Sequence, residues 1–291
     1  MFSLRIDLDT RIGVREGLPR ILEALRKTDS TASFFLVLGR EPFLPHVLRR
    51  KFFSRKNYDP WYTPVERPHR RKISYGEFAR RMLLPVNFSE ESTELLRLAE
   101  KEHEFGCHAI EHEEWALSLP KMDVDLEFSD MIARFENLFG KKPRHFASPA
   151  FRTRVRVLES LDRFRFETAG DLPGDKPFHP VINGKRFKHM QVPVNLMCSD
   201  TVPLIEDAWA RGIPDSKIAD QVFSRIMEKH RRGLPAVLYG HGLLEGAMQV
   251  NVLERILVKV KEEGLEVVST GELAKHFSGN YMDVPLEVVN R

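Results

Sequence analysis

From Ser3 to Leu8 apolar and polar residues alternate, and the run ends in two acids, Asp7 and Asp9, as a strand does on entering a loop. Val14, Leu18, Ile21, Leu22 and Leu25 then recur at helical spacing over 14–27. A dense apolar run over 32–38 stops at Gly39, the pattern of a buried strand. Strand, helix and strand in succession predict a right-handed βαβ unit with parallel strands. The alternation resumes later in the chain. Helical patterns cover 91–102, 124–139, 155–164, 218–231, 250–263 and 272–277, with Gly140 and Pro143 closing the second of these. Strands are predicted at 105–108, 145–148, 166–169, 236–239 and 265–269, and 187–196 reads as extended. Residues 172–186 carry Pro173, Gly174, Pro177, Pro180 and Gly184 and read as a loop. Some seven or eight strands alternating with helices predict an α/β fold, a closed or nearly closed (β/α)7–8 barrel in a single domain over 1–291. A doubly wound open sheet is the alternative.

Composition adds limits. Of 291 residues, 42% are apolar and 30% charged, an ordinary globular balance with enough chain for a large core. No apolar run approaches the roughly 20 residues that span a bilayer. Met1 to Asp9 reaches charge too early for a secretory signal, and two cysteines, Cys107 and Cys198, make no disulfide framework, so a cytoplasmic protein is expected. The net charge of +3 hides an asymmetry. An insertion after the second strand, about 40–88, holds twelve Lys/Arg against four acids, and the rest of the chain is net acidic. Its cations alternate with Phe52, Phe53, Trp61, Tyr62 and Phe78, a mixture suited to an anionic membrane surface through residues 45–85. That would place the protein peripherally on the inner face of the membrane. A lid packed on the barrel is the other reading, and no groove-reading element supports nucleic acid.

Four predicted strand ends carry reactive groups. Asp7 and Asp9 lie two apart on one face. His108 and His112 have the spacing of two imidazoles on one side of a helical turn, which alone also fits surface histidines in a polar loop. Ser148-Pro149-Ala150-Phe151-Arg152 follows another strand, and His241 stands between Gly240 and Gly242, which permit close approach by a ligand. Two imidazoles and one carboxylate with open positions suit one catalytic divalent ion, Zn²⁺ first, with Mn²⁺, Co²⁺ and Fe²⁺ as alternatives. Active groups of parallel α/β proteins gather at the carboxyl ends of strands, where all four segments fall.

The ordered set Asp-x-Asp, His-x3-His, Ser-Pro-Ala-Phe-Arg and strand-His resembles the NodB-homology polysaccharide deacetylases, carbohydrate esterase family 4. Leu4 to Thr10, Arg15 to Arg20, His108 to Trp115, Gln191 to Pro193 and His241 to Gly246 resemble, more narrowly, the members that deformylate an undecaprenyl-phosphate-linked amino sugar. The resemblance makes the barrel a deformed one and implies metal-dependent hydrolysis of an N-formyl or N-acetyl group. Asp9, His108 and His112 would hold the metal, Asp7 would take the proton of the attacking water, and His241 would protonate the departing amine. A backbone N–H of the third motif would face the oxyanion. Arg152 would orient Asp7, Asp171 would neighbour the acid, and Ser148, Phe151, Trp115 and Glu245 would face the substrate. The resemblance also admits a peptidoglycan- or chitin-type de-N-acetylase, and a sugar-binding barrel that has lost catalysis.

Overall fold

In the computed structural model, residues 1–39, 87–198 and 202–289 are described; the basic insertion falls almost wholly outside them. Strand β1 (Phe2–Leu8) is buried on both faces. Phe2, Leu4, Ile6 and Leu8 form one face, and Ser3, Arg5 and Asp7 the other. Helix α1 (Leu18–Lys27) follows a wide helical turn at Gly13–Gly17 and buries Leu18, Ile21, Ala24 and Leu25. Strand β2 (Ser33–Leu36) pairs with β1 in parallel, completing the expected βαβ unit.

Helix α2 (Thr93–Ala99) leads to β3 (Glu104–Cys107), and α3 (His112–Ser118) and α4 (Val124–Phe139) lead to β4 (His145–Phe146). Asp123 caps α4 by accepting from Leu126 N, and Gly140 ends it at φ 71°, a left-handed position that glycine takes without strain. Helix α5 (Val155–Arg163) precedes β5 (Thr168–Ala169). After β8 (Met190–Gln191) come α6 (Leu204–Ala210), α7 (Asp215–Arg231), β9 (Ala236–His241), α8 (Val250–Glu262) and α9 (Thr270–Lys275).

Seven strands form one parallel sheet in the order β8-β5-β4-β3-β2-β1-β9. The sheet curls, and the chain past β8 crosses to its other edge. There Leu196 N donates to Val237 O at 3.2 Å, and Leu196 bridges Leu238. The result is a curled α/β half-barrel, which this segment brings near the nearly closed barrel that the alternation predicted.

Two expectations need correction. Residues 172–186 hold a hairpin, β6 (His179–Ile182) and β7 (Lys185–Arg186), which with β10 (Tyr281–Asp283) makes a separate three-stranded sheet. Prolines and glycines there bound short strands that pair far along the chain, so no local alternation betrays them. Residues 265–269 form only an isolated bridge from Val267 to Phe2, at the start of β1 and outside the Arg5–Leu8 stretch that β2 pairs with.

An aromatic layer supports the site from below. The Trp115 ring lies 5.3 Å from that of Phe146 and 6.2 Å from that of Phe128, and Phe128 stacks on Phe164 at 5.8 Å. Such pairs add about 0.5–1.5 kcal/mol each beyond their buried area, so α3 and α4 are held firmly on β4.

Candidate active site

Asp7 is the penultimate residue of β1 and Asp9 follows its end; His108 follows β3, and His241 ends β9. Parallel pairing brings these ends together, with Asp7 and His241 directly opposite across the β1–β9 ladder. His112 opens α3. It reaches His108 through a loop, not a helical turn, because Ala109 is left-handed at φ 65° and Ile110 N donates to Glu127 at 2.8 Å. The two imidazole centroids end 5.3 Å apart.

Asp9, His108 and His112 each present one ligand atom, all within 4.8 Å of one another. His108 Nε2 is 3.4 Å from Asp9 Oδ1, and His112 Nε2 is 3.8 Å from Asp9 Oδ2. His108 Nδ1 lies 2.6 Å from the Ala147 carbonyl, so that nitrogen carries the proton and Nε2 keeps its lone pair for a metal. Burial also lowers the His108 pKa, outweighing the raising effect of Asp7 and Asp9, and a ligating imidazole must be neutral. Donor types, spacing and tautomer fit one divalent ion.

Asp7 is held from an unexpected direction. Arg5 Nε and Nη2 donate to its two oxygens at 2.8 Å each, and Arg5 Nη1 donates to Gly170 O at 2.7 Å. Arg5 is 2% exposed. Its guanidinium faces the rings of Phe151, Phe35 and Tyr239 at 4.8, 5.2 and 5.6 Å, an aromatic box around a desolvated cation. Burial opposes the charge on Asp7, yet Arg5, His108 and His241 outweigh it and hold the pKa down at about 2. Arg5 therefore has the orienting role expected of Arg152. The signal was present in the sequence: a charged residue inside a strand, two before an acid, shares that acid's face.

The remaining candidates are placed differently from expectation. Trp115 is 0% exposed and donates from Nε1 to the Arg152 carbonyl at 2.9 Å, so it has no surface for a substrate. Ser148 is also 0% exposed, and its N–H donates to Asp171 Oδ1 at 2.6 Å. Phe151 spends its ring on Arg5 and on Tyr239, 5.2 Å away edge-on. Its backbone and that of Ala150 are left-handed, at φ 54° and 52°. The N–H groups of Ser148, Phe151 and Arg152 are all engaged within the chain, so none of these three serves an oxyanion.

Asp171 is buried near Arg5 and Asp7; burial raises its pKa to about 6, against the lowering by the Ser148 hydrogen bond and the Arg5 charge. Glu245 is buried and accepts from His241 N at 2.6 Å, fixing the acid's backbone. The glycines flanking His241 make room for the chain itself. A Cβ on Gly240 would meet the Glu245 carboxylate, and one on Gly242 would meet Leu8 and Gly13. His241 Nε2 faces Asp9 Oδ2 at 3.7 Å, and its Nδ1 faces Glu206 Oε2 at 3.6 Å. Glu206 and Glu127 lacked a sequence signal, since acids in the first turns of helices are usually solvated.

The chain belongs to the polysaccharide deacetylase family, whose model matches residues 7–169. It is 24% identical over 302 residues to a probable 4-deoxy-4-formamido-L-arabinose-phosphoundecaprenol deformylase of Shewanella sediminis, across 99% of this chain and 89% of that one. Among solved structures it resembles a putative polysaccharide deacetylase from Mycobacterium smegmatis, with a TM-score of 0.61 at 16% identity, covering 94% of this chain and 88% of that one. It also resembles a pseudoenzyme of carbohydrate esterase family 4 from Bacillus anthracis, with a TM-score of 0.51 at 18% identity, covering 98% of this chain and 69% of that one. Since the fold hosts both, activity has to be argued from the residues of the site.

Proposed function

We propose that this chain is a metal-dependent hydrolase that removes an N-acyl group, formyl or acetyl, from an amino sugar carried on a lipid phosphate. The observation that carries the proposal is the meeting of Asp7, Asp9, His108, His112 and His241 at one end of the sheet, within 3.4–3.8 Å of one another along the chain of contacts. Base, ligands and acid are all present, which argues against a barrel that only binds sugar. Asp9, His108 and His112 would hold the ion. Bound there, a divalent ion would lower the pKa of water and polarise the acyl oxygen.

The protein side chains divide the remaining work. Asp7, ionised at any working pH because of Arg5, accepts the proton of the attacking water. A pKa near 2 makes it a weak base, so Asp7 depends on water that is already acidified. Arg5 keeps the carboxylate in one orientation through two parallel hydrogen bonds. His241 donates its Nε2 proton to the amine nitrogen as the carbon–nitrogen bond breaks. The buried strand ends exclude bulk water from around these groups.

The lipid-phosphate part of the proposal is supported by the name of the Shewanella relative and by the cationic, aromatic sequence of 45–85. Among the described residues no helix is long and apolar enough to cross a membrane, so contact with a lipid carrier would be peripheral. Product analysis tests the reading. The protein is incubated with formyl- and acetyl-amino sugars, free and lipid-phosphate-linked, with Zn²⁺, Mn²⁺ and Co²⁺ added in turn. Formate release, fastest from the lipid-linked formamido sugar, is the expected result. Acetate release from chitin- or peptidoglycan-type oligomers alone would replace it with the polymer de-N-acetylase reading.

A further inference from the structure

Gln191 stands in the extended run after the β6–β7 hairpin, between the core residues Met190 and Val192. Its side chain is 0% exposed, and neither the family match, which ends at residue 169, nor the strand-end motifs give it a task. A buried amide is costly unless its polar atoms are used. The Gln191 Oε1 accepts twice, from Asp171 N at 3.0 Å and from Leu172 N at 3.1 Å. Its Nε2 meets no acceptor among the described residues, so the oxygen is the part that this position uses.

Those two donors lie where the sheet runs out. Strands β5 and β8 pair only through Thr168–Met190 and Ala169–Gln191, and the last ladder bond is Val192 N to Ala169 O at 2.7 Å. Past it, the Asp171 and Leu172 N–H groups face a side-chain oxygen in place of a strand carbonyl. The peptide unit between Gly170 and Asp171 is then held at both ends. Its N–H donates to Gln191 Oε1, and its carbonyl, Gly170 O, accepts from Arg5 Nη1 at 2.7 Å. The unit is planar and trans, so fixing the N–H fixes the direction of the carbonyl. The approach is close as well, since a Cβ on Gly170 would lie 2.8 Å from Arg5 Nη1. Nε and Nη2 of the same guanidinium carry Asp7.

We propose that Gln191 is a positioning residue for the base: it sets the Gly170–Asp171 peptide plane, which sets the Arg5 guanidinium, which sets the plane of the Asp7 carboxylate. The proposal rests on the hydrolase reading above for what Asp7 does, but not for how Arg5 is held. Arg5 donates to the peptide carbonyl and the same peptide donates to Gln191, so each bond polarises the next in the buried interior. Without the Gln191 oxygen, the Asp171 N–H is a buried donor with no acceptor, and the peptide turns to find one. Gly170 O then leaves Nη1, and the guanidinium keeps only its two bonds to Asp7. Base and guanidinium are free to swing as one unit, and a misplacement of about 1 Å costs on the order of 100-fold in rate.

The experiment compares Gln191→Met, which keeps the length and loses the acceptor, and Gln191→Glu, which keeps an oxygen at the same reach, with wild type. With Zn²⁺ and an N-formyl amino sugar, kcat of Q191M should fall about 10- to 100-fold, with KM and Zn²⁺ affinity within about two-fold. Q191E should recover to within about three-fold of the wild-type kcat. Proton–nitrogen NMR of metal-free, arginine-labelled protein reads the link directly, the Arg5 signals being those absent from Arg5→Lys. The two Nη1 protons should be separate in wild type and Q191E, and merged by faster rotation in Q191M. Gln191→Asn, an amide one methylene short, should behave as Q191M does and takes its place if Q191M folds poorly. A purely structural glutamine would lower the melting temperature of Q191M and leave kcat and the Arg5 signals as in wild type. That result, a fallen kcat with unmoved Arg5 signals, or a Q191E no faster than Q191M would overturn the assignment. If the wild type does not cleave the amide, the hydrolase reading fails, and the Arg5 spectra still decide what Gln191 holds.

Discussion

Arg5 and Asp7 show how single residues set the chemistry. A guanidinium boxed by three rings cannot be exchanged for another cation at no cost, because only the planar fork reaches both carboxylate oxygens. Arg5→Met would leave Asp7 buried without its counter-charge, and denaturant unfolding should show a loss of about 3–5 kcal/mol. Arg5→Lys should keep more of the stability and lose kcat, since a point charge does not fix the carboxylate plane. Asp171 offers a test with a sign. Its folded pKa of about 6 lies above that of an unfolded Asp, so ionising it opposes folding: stability is full below the unfolded value and is lost as pH rises through 6. Relative to Asp171→Asn, the wild type should therefore become less stable between pH 4 and pH 8 by on the order of 2–3 kcal/mol. Unfolding curves of the two proteins at both pH values check this. A gap that does not change would mean that Asp171 does not titrate in this range.

At the level of elements, the loop between His108 and His112 is the critical part. It turns through Ala109 and is pinned by Glu127 from α4, whose pKa burial raises despite the hydrogen bond from Ile110 N. Glu127→Ala should weaken divalent-metal affinity by about ten-fold or more while leaving the helical circular dichroism signal intact. Competition against a chromophoric chelator measures it, and undiminished affinity would show that the loop holds itself. How far these elements were legible follows from range. Helix α4 could be read in the sequence because its stripe, its Asp123 cap and its Gly140 stop are all local. The strand ends could be read because apolar runs stopped at Asp7, His108 and His241. The partners of those ends differ: Arg5 carried a signal, since it shares the face of Asp7, whereas Glu127 and Glu206 take part through helices that packing alone brings near. Buried Trp115 and Ser148 looked like substrate residues because adjacency to a motif says nothing about which way a side chain points.

Across the whole molecule the two ends of the sheet carry opposite tasks. The carboxyl ends gather the reactive groups, and the amino ends are tied by a polar network. There Glu104 accepts from Ser33, Thr270 and the Gly271 N–H and pairs with His145, which also contacts Thr168 at 2.8 Å. Burial opposes the charge on Glu104, but His145 and these donors outweigh it and lower its pKa; burial lowers that of His145. Both groups bind protons more weakly folded than unfolded, so their contribution is present above the unfolded values and lost on acidification. The window opens near pH 6.5 for His145 and near 4.3 for Glu104. Melting temperature should fall from pH 7 to pH 4 more steeply in wild type than in a Glu104→Gln, His145→Gln double variant. Parallel curves would remove this network from the acid limb. For the reactive end, the most direct measurement is a metal titration of activity. Protein stripped by chelation is given increasing Zn²⁺, and formate or acetate release from an amino sugar is followed for wild type, Asp9→Ala and His112→Ala. Recovery that saturates at one equivalent in wild type and is absent in both variants is expected; turnover in the stripped protein, or in either variant at the wild-type rate, would contradict a hydrolase built on Asp9, His108 and His112.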